Sequence, residues 1–233
     1  LYGYLASGVP GTVKGLDAAL EKYGSLSRQE VMAPAIKLAR EGYILTRADT
    51  DVLETSTERF KQDPETAKIF LKPDGSPWQP GDRLVQTDLA NTLEAIAEQG
   101  PDIFYRGEIA EKIEAASKQH NGSLTKKDFE NYTITETKPI SCSYRGYEFI
   151  SAPPPSSGGV TICETLNILE GYDLKSMGFN SAQYVHTLTE AMRHAYMDRN
   201  TFLGDPEFIK NPTDKLVSKE YAAEIRQQIS VDK

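Results

Sequence analysis

The run Tyr144-Arg145-Gly146-Tyr147-Glu148-Phe149-Ile150-Ser151-Ala152-Pro153-Pro154-Pro155-Ser156-Ser157-Gly158-Gly159 decides how this chain is read. Its first half is rich in aromatic and β-branched residues around an Arg-Gly pair, the pattern of strands joined at a tight turn. With Thr133-Ile134-Thr135 and Lys138-Pro139-Ile140 ahead of it, the region from Tyr132 to Ala152 predicts a β-hairpin. The three prolines stop the last strand, because proline has no N–H to give to a ladder. Ser156 to Gly159 then lead into a helix bearing Val160, Ile162, Cys163, Leu166, Ile168 and Leu169, closed by Gly171. Two or three strands make a poor sheet by themselves, so this hairpin is expected to join a larger sheet supplied by other polypeptide.

Outward from this centre the chain reads as helices. Upstream, Thr12 is expected to cap a helix with Val13, Leu16, Leu20 and Tyr23 on one stripe, ended by Gly24. Ser27-Arg28-Gln29-Glu30 has the form of a capping box, in which serine and glutamate satisfy each other's orphan N–H groups. The helix it starts is expected to bury Val31, Ala35, Ile36 and Leu38 and to stop at Gly42. Thr46 opens a third helix predicted to reach Phe60, and Pro73-Asp74-Gly75 with Gln79-Pro80-Gly81-Asp82 is turn chemistry. Thr87 is expected to cap a helix closed at Gly100-Pro101, another follows from Glu108 to His120, and Thr125 caps a short turn to Asn131. Downstream, Ser181 caps a long helix ending at Gly204-Asp205-Pro206, and Ser218 begins the last, with Tyr221, Ala222, Ile225 and Ile229 inward. The fold class expected is α+β, a helix-rich segment with few strands. Residues 1–131 form its predominantly helical part and 132–233 the hairpin with further helices, both within one domain.

Composition excludes several functions. The 233 residues carry a net charge of -8 without a basic run, which repels a phosphate backbone and argues against nucleic-acid binding. No apolar run approaches the ~18 residues of a membrane helix, so no membrane insertion is expected from this segment. A chain that begins at Leu1 reads as cut at a processing or cloning boundary, and its want of a signal peptide says nothing of compartment. Cys142 lies in a strand-like stretch and Cys163 in an apolar helix-like one; buried free thiols are expected ahead of a disulfide.

Two constellations hold candidate chemistry. His186, Glu190, His194 and Asp198 recur every four residues, and two histidines with a carboxylate are zinc-type ligands. Each step of four drifts around a 3.6-residue helix, however, so the set converges poorly, and a packed helix with a polar edge is expected instead of a metal site. Ser156-Ser157-Gly158-Gly159 presents free N–H groups at a helix start, suited to an anion or a developing oxyanion. The alternative for this loop is a rigid strand-to-helix corner with Ser156 or Ser157 as N-cap.

Taken in order, Leu5-Ala6-Ser7-Gly8-Val9-Pro10-Gly11-Thr12-Val13, Gly100-Pro101-Asp102-Ile103-Phe104-Tyr105-Arg106-Gly107, Tyr144-Arg145-Gly146-Tyr147, the Pro-Pro-Pro-Ser-Ser-Gly-Gly block at 153–159 and Leu203-Gly204-Asp205-Pro206 resemble the large-subunit segment of gamma-glutamyltransferases. The resemblance spans essentially the whole chain. It implies an N-terminal nucleophile hydrolase of αββα architecture, made by self-cleavage of a precursor into a large and a small subunit. In such a family the small subunit's new N-terminal threonine attacks the gamma-glutamyl amide of glutathione or a similar donor, its own amine acting as base. Water or an amino acid or peptide then resolves the acyl-enzyme, without metal or organic cofactor. The family's threonine falls beyond Lys233 and its carboxylate-gripping arginine before Leu1, so no catalytic residue is carried over. Ser156, Ser157, Gly158 and Gly159 remain as substrate-binding candidates that line or buttress the site. The resemblance further implies a small-subunit partner and a periplasmic or extracellular location.

Two other readings stand beside this one. A related acylase would act on a cephalosporin side chain or on poly-gamma-glutamate. A non-catalytic helical packing domain would expose no large apolar patch, whereas a subunit fragment would.

Overall fold

In a computed structural model, residues 3–230 are described, and they divide into two compact units, Leu1–Ile134 and Thr135–Lys233. The first unit is built of α1 (Thr12–Tyr23), α2 (Arg28–Glu41), β1 (Tyr43–Ile44), α3 (Arg47–Glu54), α4 (Thr57–Phe60), α5 (Pro64–Phe70), β2 (Arg83–Leu84), α6 (Thr87–Gln99), α7 (Asp102–Tyr105), α8 (Glu108–Gln119) and α9 (Lys126–Asn131). The capping boxes at Ser27 and Thr125 form, as does one at Thr46 with Asp49, so these helices start where local chemistry directs. The helix from Thr46 ends at Glu54, and Phe60 belongs to the separate turn α4. The turn-rich loop returns as β2, antiparallel to β1 with Tyr43 opposite Leu84.

α2 packs on α6, and the residues buried on these helices are mostly small: Ala39, Ala90 and Ala97, with Ile96. A second core gathers Tyr105, Ala110 and Phe129, with Val13, Phe104 and Tyr132 against it. Contrary to expectation, Val31 and Leu38 are exposed, and the α1 stripe is largely open: Leu16 is 67% and Tyr23 77% exposed. An apolar groove of about 520 Å³ runs along α1, α2 and α6 past Val13, Leu16, Leu20, Met32 and Ile96.

The start of α1 also differs from the sequence reading. Its N-cap is Gly11, and Thr12 is already helical, so the threonine hydroxyl caps nothing. The hydroxyl of Tyr105 does that work, accepting from the Lys14 N–H at 3.1 Å and donating to the Pro10 carbonyl at 2.6 Å. A Cβ at Gly11 would collide with the Tyr132 hydroxyl, which makes glycine the residue that fits there. Tyr132 in turn stacks on Tyr105 with ring centroids 5.7 Å apart. Thr87 is likewise inside its helix, with Gln86 as N-cap.

The second unit holds β3 (Ile140–Tyr144), β4 (Tyr147–Ser151), α10 (Gly158–Glu170), α11 (Leu174–Met177), α12 (Ala182–Phe202), α13 (Thr213–Leu216) and α14 (Lys219–Arg226). Thr133 to Thr135 form no strand; the hairpin is β3 and β4 alone, with Cys142 opposite Phe149 and Tyr144 opposite Tyr147. Arg145 and Gly146 both take positive φ, 49° and 86°, as a two-residue type I′ turn requires. α10 is the central element, buried along most of its length against β3, α12 and α14. Its core partners include Ala191, Ala222 and Ile225 on one side and Ile140 and Leu216 on the other. Glu170 ties its end to the hairpin, accepting from the Arg145 N–H at 2.8 Å and from Lys219 at 2.5 Å.

The cysteines correct a sequence expectation. Cys142 and Cys163 are joined in a disulfide across a Cα–Cα distance of 5.9 Å, and neither is a free thiol. β3 alternates its side chains, sending Ile140, Cys142 and Tyr144 toward the buried face, which sets Cys142 against α10.

Candidate functional site

The Pro-Ser-Gly loop is a corner between β4 and α10. The Ser156 N–H donates to the Pro153 carbonyl at 3.1 Å, and the Pro154–Pro155 bond is cis. Gly159 is buried where a Cβ would meet the Ala152 carbonyl at 2.5 Å and Ser151 at 3.1 Å, so only glycine lets the helix start pass this close to the strand end. Gly158 has no such neighbour and is exposed.

Ser157 occupies the N-cap position of α10, but its side chain makes no capping bond. Its carbonyl instead receives the Thr161 N–H at 3.0 Å and the Thr161 hydroxyl at 2.9 Å. The Ser157 hydroxyl accepts from Arg199 Nε at 2.9 Å, and Arg199 Nη1 donates to Asn200 at 2.7 Å. Pro155, Ser157, Arg199, Asn200, Leu203 and Gly204 enclose a polar hollow of about 220 Å³. The floor is fixed by Asn211, whose side chain brackets Gly204, accepting from its N–H at 2.9 Å and donating to its carbonyl at 3.0 Å. The loop thus combines a helix start, a hydroxyl and a guanidinium, a set able to bind an anion or fix a neighbouring backbone.

Ser156 to Gly159 are brought together, as continuity demands, with Ser156 and Gly158 facing solvent and Gly159 inward. Arg199 is the member that sequence reasoning missed. It follows Asp198 on a helix read only for its every-fourth-residue pattern, and nothing local announces contact with a serine 42 residues earlier.

The every-fourth-residue set disperses. His186 Nε2 meets the Ser230 carbonyl at 2.8 Å, Glu190 is bidentate with Arg193 at 2.9 and 2.7 Å, and Asp198 accepts from the Tyr221 hydroxyl at 2.6 Å. The Arg193 contact holds the Glu190 carboxyl below its ordinary value, while burial and Arg193 push His194 below its own. Among the described residues, no group of three His, Cys, Asp or Glu is placed to hold a metal ion.

The sequence profile of a family described as Gamma-glutamyltranspeptidase matches residues 1–233. The glutathione hydrolase proenzyme of Pseudomonas sp. strain A14 is 53% identical over 231 residues, covering 99% of this chain and 40% of that protein. The Acylase ACY 1 proenzyme of Pseudomonas sp. strain SE83 is 43% identical over 230 residues, covering 99% of this chain and 41% of its own length. Among solved structures, Helicobacter pylori gamma-glutamyltranspeptidase superposes with a TM-score of 0.96 at 43% identity, over 99% of this chain and 66% of that one. The chain therefore spans about two fifths of the length of the proenzymes it matches.

Proposed function

Because the chain belongs to the gamma-glutamyltranspeptidase family, we propose that it is the scaffold portion of the large subunit of an enzyme that cleaves gamma-glutamyl amides. In this reading the nucleophile is an N-terminal threonine on a small subunit cut from the same precursor. Its hydroxyl adds to the amide carbonyl, the proton passes through its own α-amine to the leaving amine, and an acyl-threonine remains. Backbone N–H groups steady the oxyanion. Attack by water releases glutamate; attack by an amino acid or peptide amine forms a new gamma-glutamyl amide. The observation that carries the reading is the family match along the whole chain, together with the 53% identity to a glutathione hydrolase proenzyme.

Two surfaces support a covering partner. The groove of α1, α2 and α6 is mostly apolar, and its charged residues, Asp17 and Arg28, pair with each other at 2.5 Å. Strand β4 exposes Tyr147, Phe149 and Ile150 and, among the described residues, has no strand on its outer edge. In the proposed assembly that edge continues into the sheets of the αββα sandwich, and the small subunit and the rest of the large one cover the groove. A packing domain complete in itself would lack such faces. Ser156 to Gly159 act here as a buttress beside the reacting centre, with Ser157 held by Arg199.

The Cys142–Cys163 disulfide supports folding outside the reducing cytosol, in a periplasmic or extracellular setting. No helix of the described residues is long and apolar enough to cross a membrane. A second reading, a related acylase, is favoured by the 43% identity to Acylase ACY 1 proenzyme. One assay separates them. The full precursor, once processed, is expected to release p-nitroaniline from gamma-glutamyl-p-nitroanilide, and the 233-residue chain alone to release none. Turnover only of a cephalosporin side-chain amide would transfer the assignment to the acylase, and turnover by the isolated chain would overturn the division of roles.

A further inference from the structure

α10 buries a carboxyl that the proposed reaction does not use. Glu164 is 0% exposed, and neither of its oxygens has a hydrogen-bond donor. Val160, Cys163 and Ile168 are buried on the same helix, as are Thr161 and Asn167, whose donors are spent on the Ser157 and Val217 carbonyls. Asp198 of α12 lies within hydrogen-bonding reach, and its Oδ2 already accepts from the Tyr221 hydroxyl of α14 at 2.6 Å. Glu164 is buried and Asp198 half-buried, so charging both carboxyls is costly, and a carboxylate accepts but does not donate. One proton between them turns a repulsion into a short, charge-assisted hydrogen bond.

We propose that Glu164 is kept as a neutral acid donating its proton to Asp198, and that this pair joins α10, α12 and α14 in a contact that holds under acid and neutral conditions and fails in mild alkali. The chain of bonds runs Glu164 O–H to Asp198, with Tyr221 O–H donating to the same carboxylate from the third helix.

The groups facing the pair from the other helices are mostly neutral or acidic. From α12 the facing group is Asp198, with His194 one turn earlier and itself held toward the neutral imidazole. From α14 come Tyr221 and, beyond it, Glu224, whose charge opposes ionisation nearby. From α13, Lys215 sits over the Tyr221 ring at 4.5 Å and is occupied there. Burial first and Asp198 second push Glu164 up to about 8, and burial raises Tyr221 as well.

Between an ordinary glutamate value of 4.5 and about 8, the folded state holds a proton that the unfolded chain has lost. Stability therefore falls as pH rises across that window, and the unfolding constant grows by up to about tenfold per pH unit. Above it the folded state releases its proton too, and the slope vanishes.

Glu164→Gln tests this, because an amide keeps the shape and supplies N–H donors to Asp198 at every pH. In the full polypeptide carrying this chain, unfolding midpoints would be measured from pH 5 to 9 for wild type and E164Q. The expected result is a falling midpoint for wild type and a flatter curve for E164Q, which overtakes wild type by pH 8. A variant with the wild-type slope would overturn the proposal. So would stabilisation of wild type at pH 8 by added divalent cation, which would mean that two ionised carboxylates share a metal. Infrared spectroscopy of wild type gives a readout that needs no folded variant. A protonated-carboxyl band should be present at pH 6 and lost above pH 8, and its absence at pH 6 would sink the idea.

Discussion

Tyr105 carries a larger share of the fold than its place in a four-residue helix suggests. Its hydroxyl fills the role of an N-cap for α1 from 91 positions away, satisfying the Lys14 N–H and the Pro10 carbonyl together. Tyr105→Phe leaves both unpaired in a largely buried setting, and a destabilisation of about 1–3 kcal/mol is expected. Denaturant unfolding of the full protein measures it, and an unchanged midpoint would show that water replaces the hydroxyl without loss. Ser27, Thr46 and Thr125 could be read as caps because donor and acceptor are three residues apart in the same chain segment. Thr12 and Thr87 have the same chemistry one position too late, and no local rule distinguishes them. Glu164 was equally hidden. A lone glutamate in an apolar stripe signals something, but its partner stands on another helix.

At the level of elements, the hairpin, α10 and the long α12 were legible from alternation, proline stops and helical spacing. The disulfide was not. Cys142 and Cys163 are separated by 21 residues, and whether they meet depends on the β3 register and on how α10 docks. Replacing both cysteines by serine is expected to cost about 2–4 kcal/mol, with the loss appearing first where β3 meets α10. Peptide mapping without reductant checks the premise: recovery of two separately alkylated thiols from native protein would refute the pairing. The resemblance motifs also gain physical meaning at this scale. Gly11 clears Tyr132, Tyr105 binds Pro10 and Lys14, Gly159 clears Ala152, and Asn211 staples Gly204. The two glycines stand where a ring or backbone comes too close for a Cβ, while Tyr105 and Asn211 hold turns through hydrogen bonds.

For the molecule as a whole, titratable groups set opposing limits. Glu30, Asp49 and Asp128 are held below their usual values by the capping serine and threonines, and Glu170 by Arg145 and Lys219. Depressed carboxylates contribute stability above their unfolded values and lose it as pH falls, so acid weakens both units. Glu164 works in the opposite direction and belongs only to Thr135–Lys233. Hydrogen exchange at pH 6 and pH 8.5, corrected for intrinsic rate, should show protection falling in α10, α12 and α14 while α2 and α6 hold. A uniform change across both units would contradict this. The open apolar face of α1 was foreseen only as a general consequence of missing neighbours; its stripe was read correctly, but not that it faces outward.

By itself the sequence determined the longer helices, the capping boxes at Ser27 and Thr125, the hairpin with its Arg-Gly turn, and the family, because these rest on contacts within a few residues or on motif order. Tertiary structure decided the disulfide, the Tyr105 cap, the Arg199–Ser157 contact and the shared proton of Glu164 and Asp198. Those depend on which helix faces which, and on how far water is excluded between them. That is a property of packing, and spacing along the chain does not encode it.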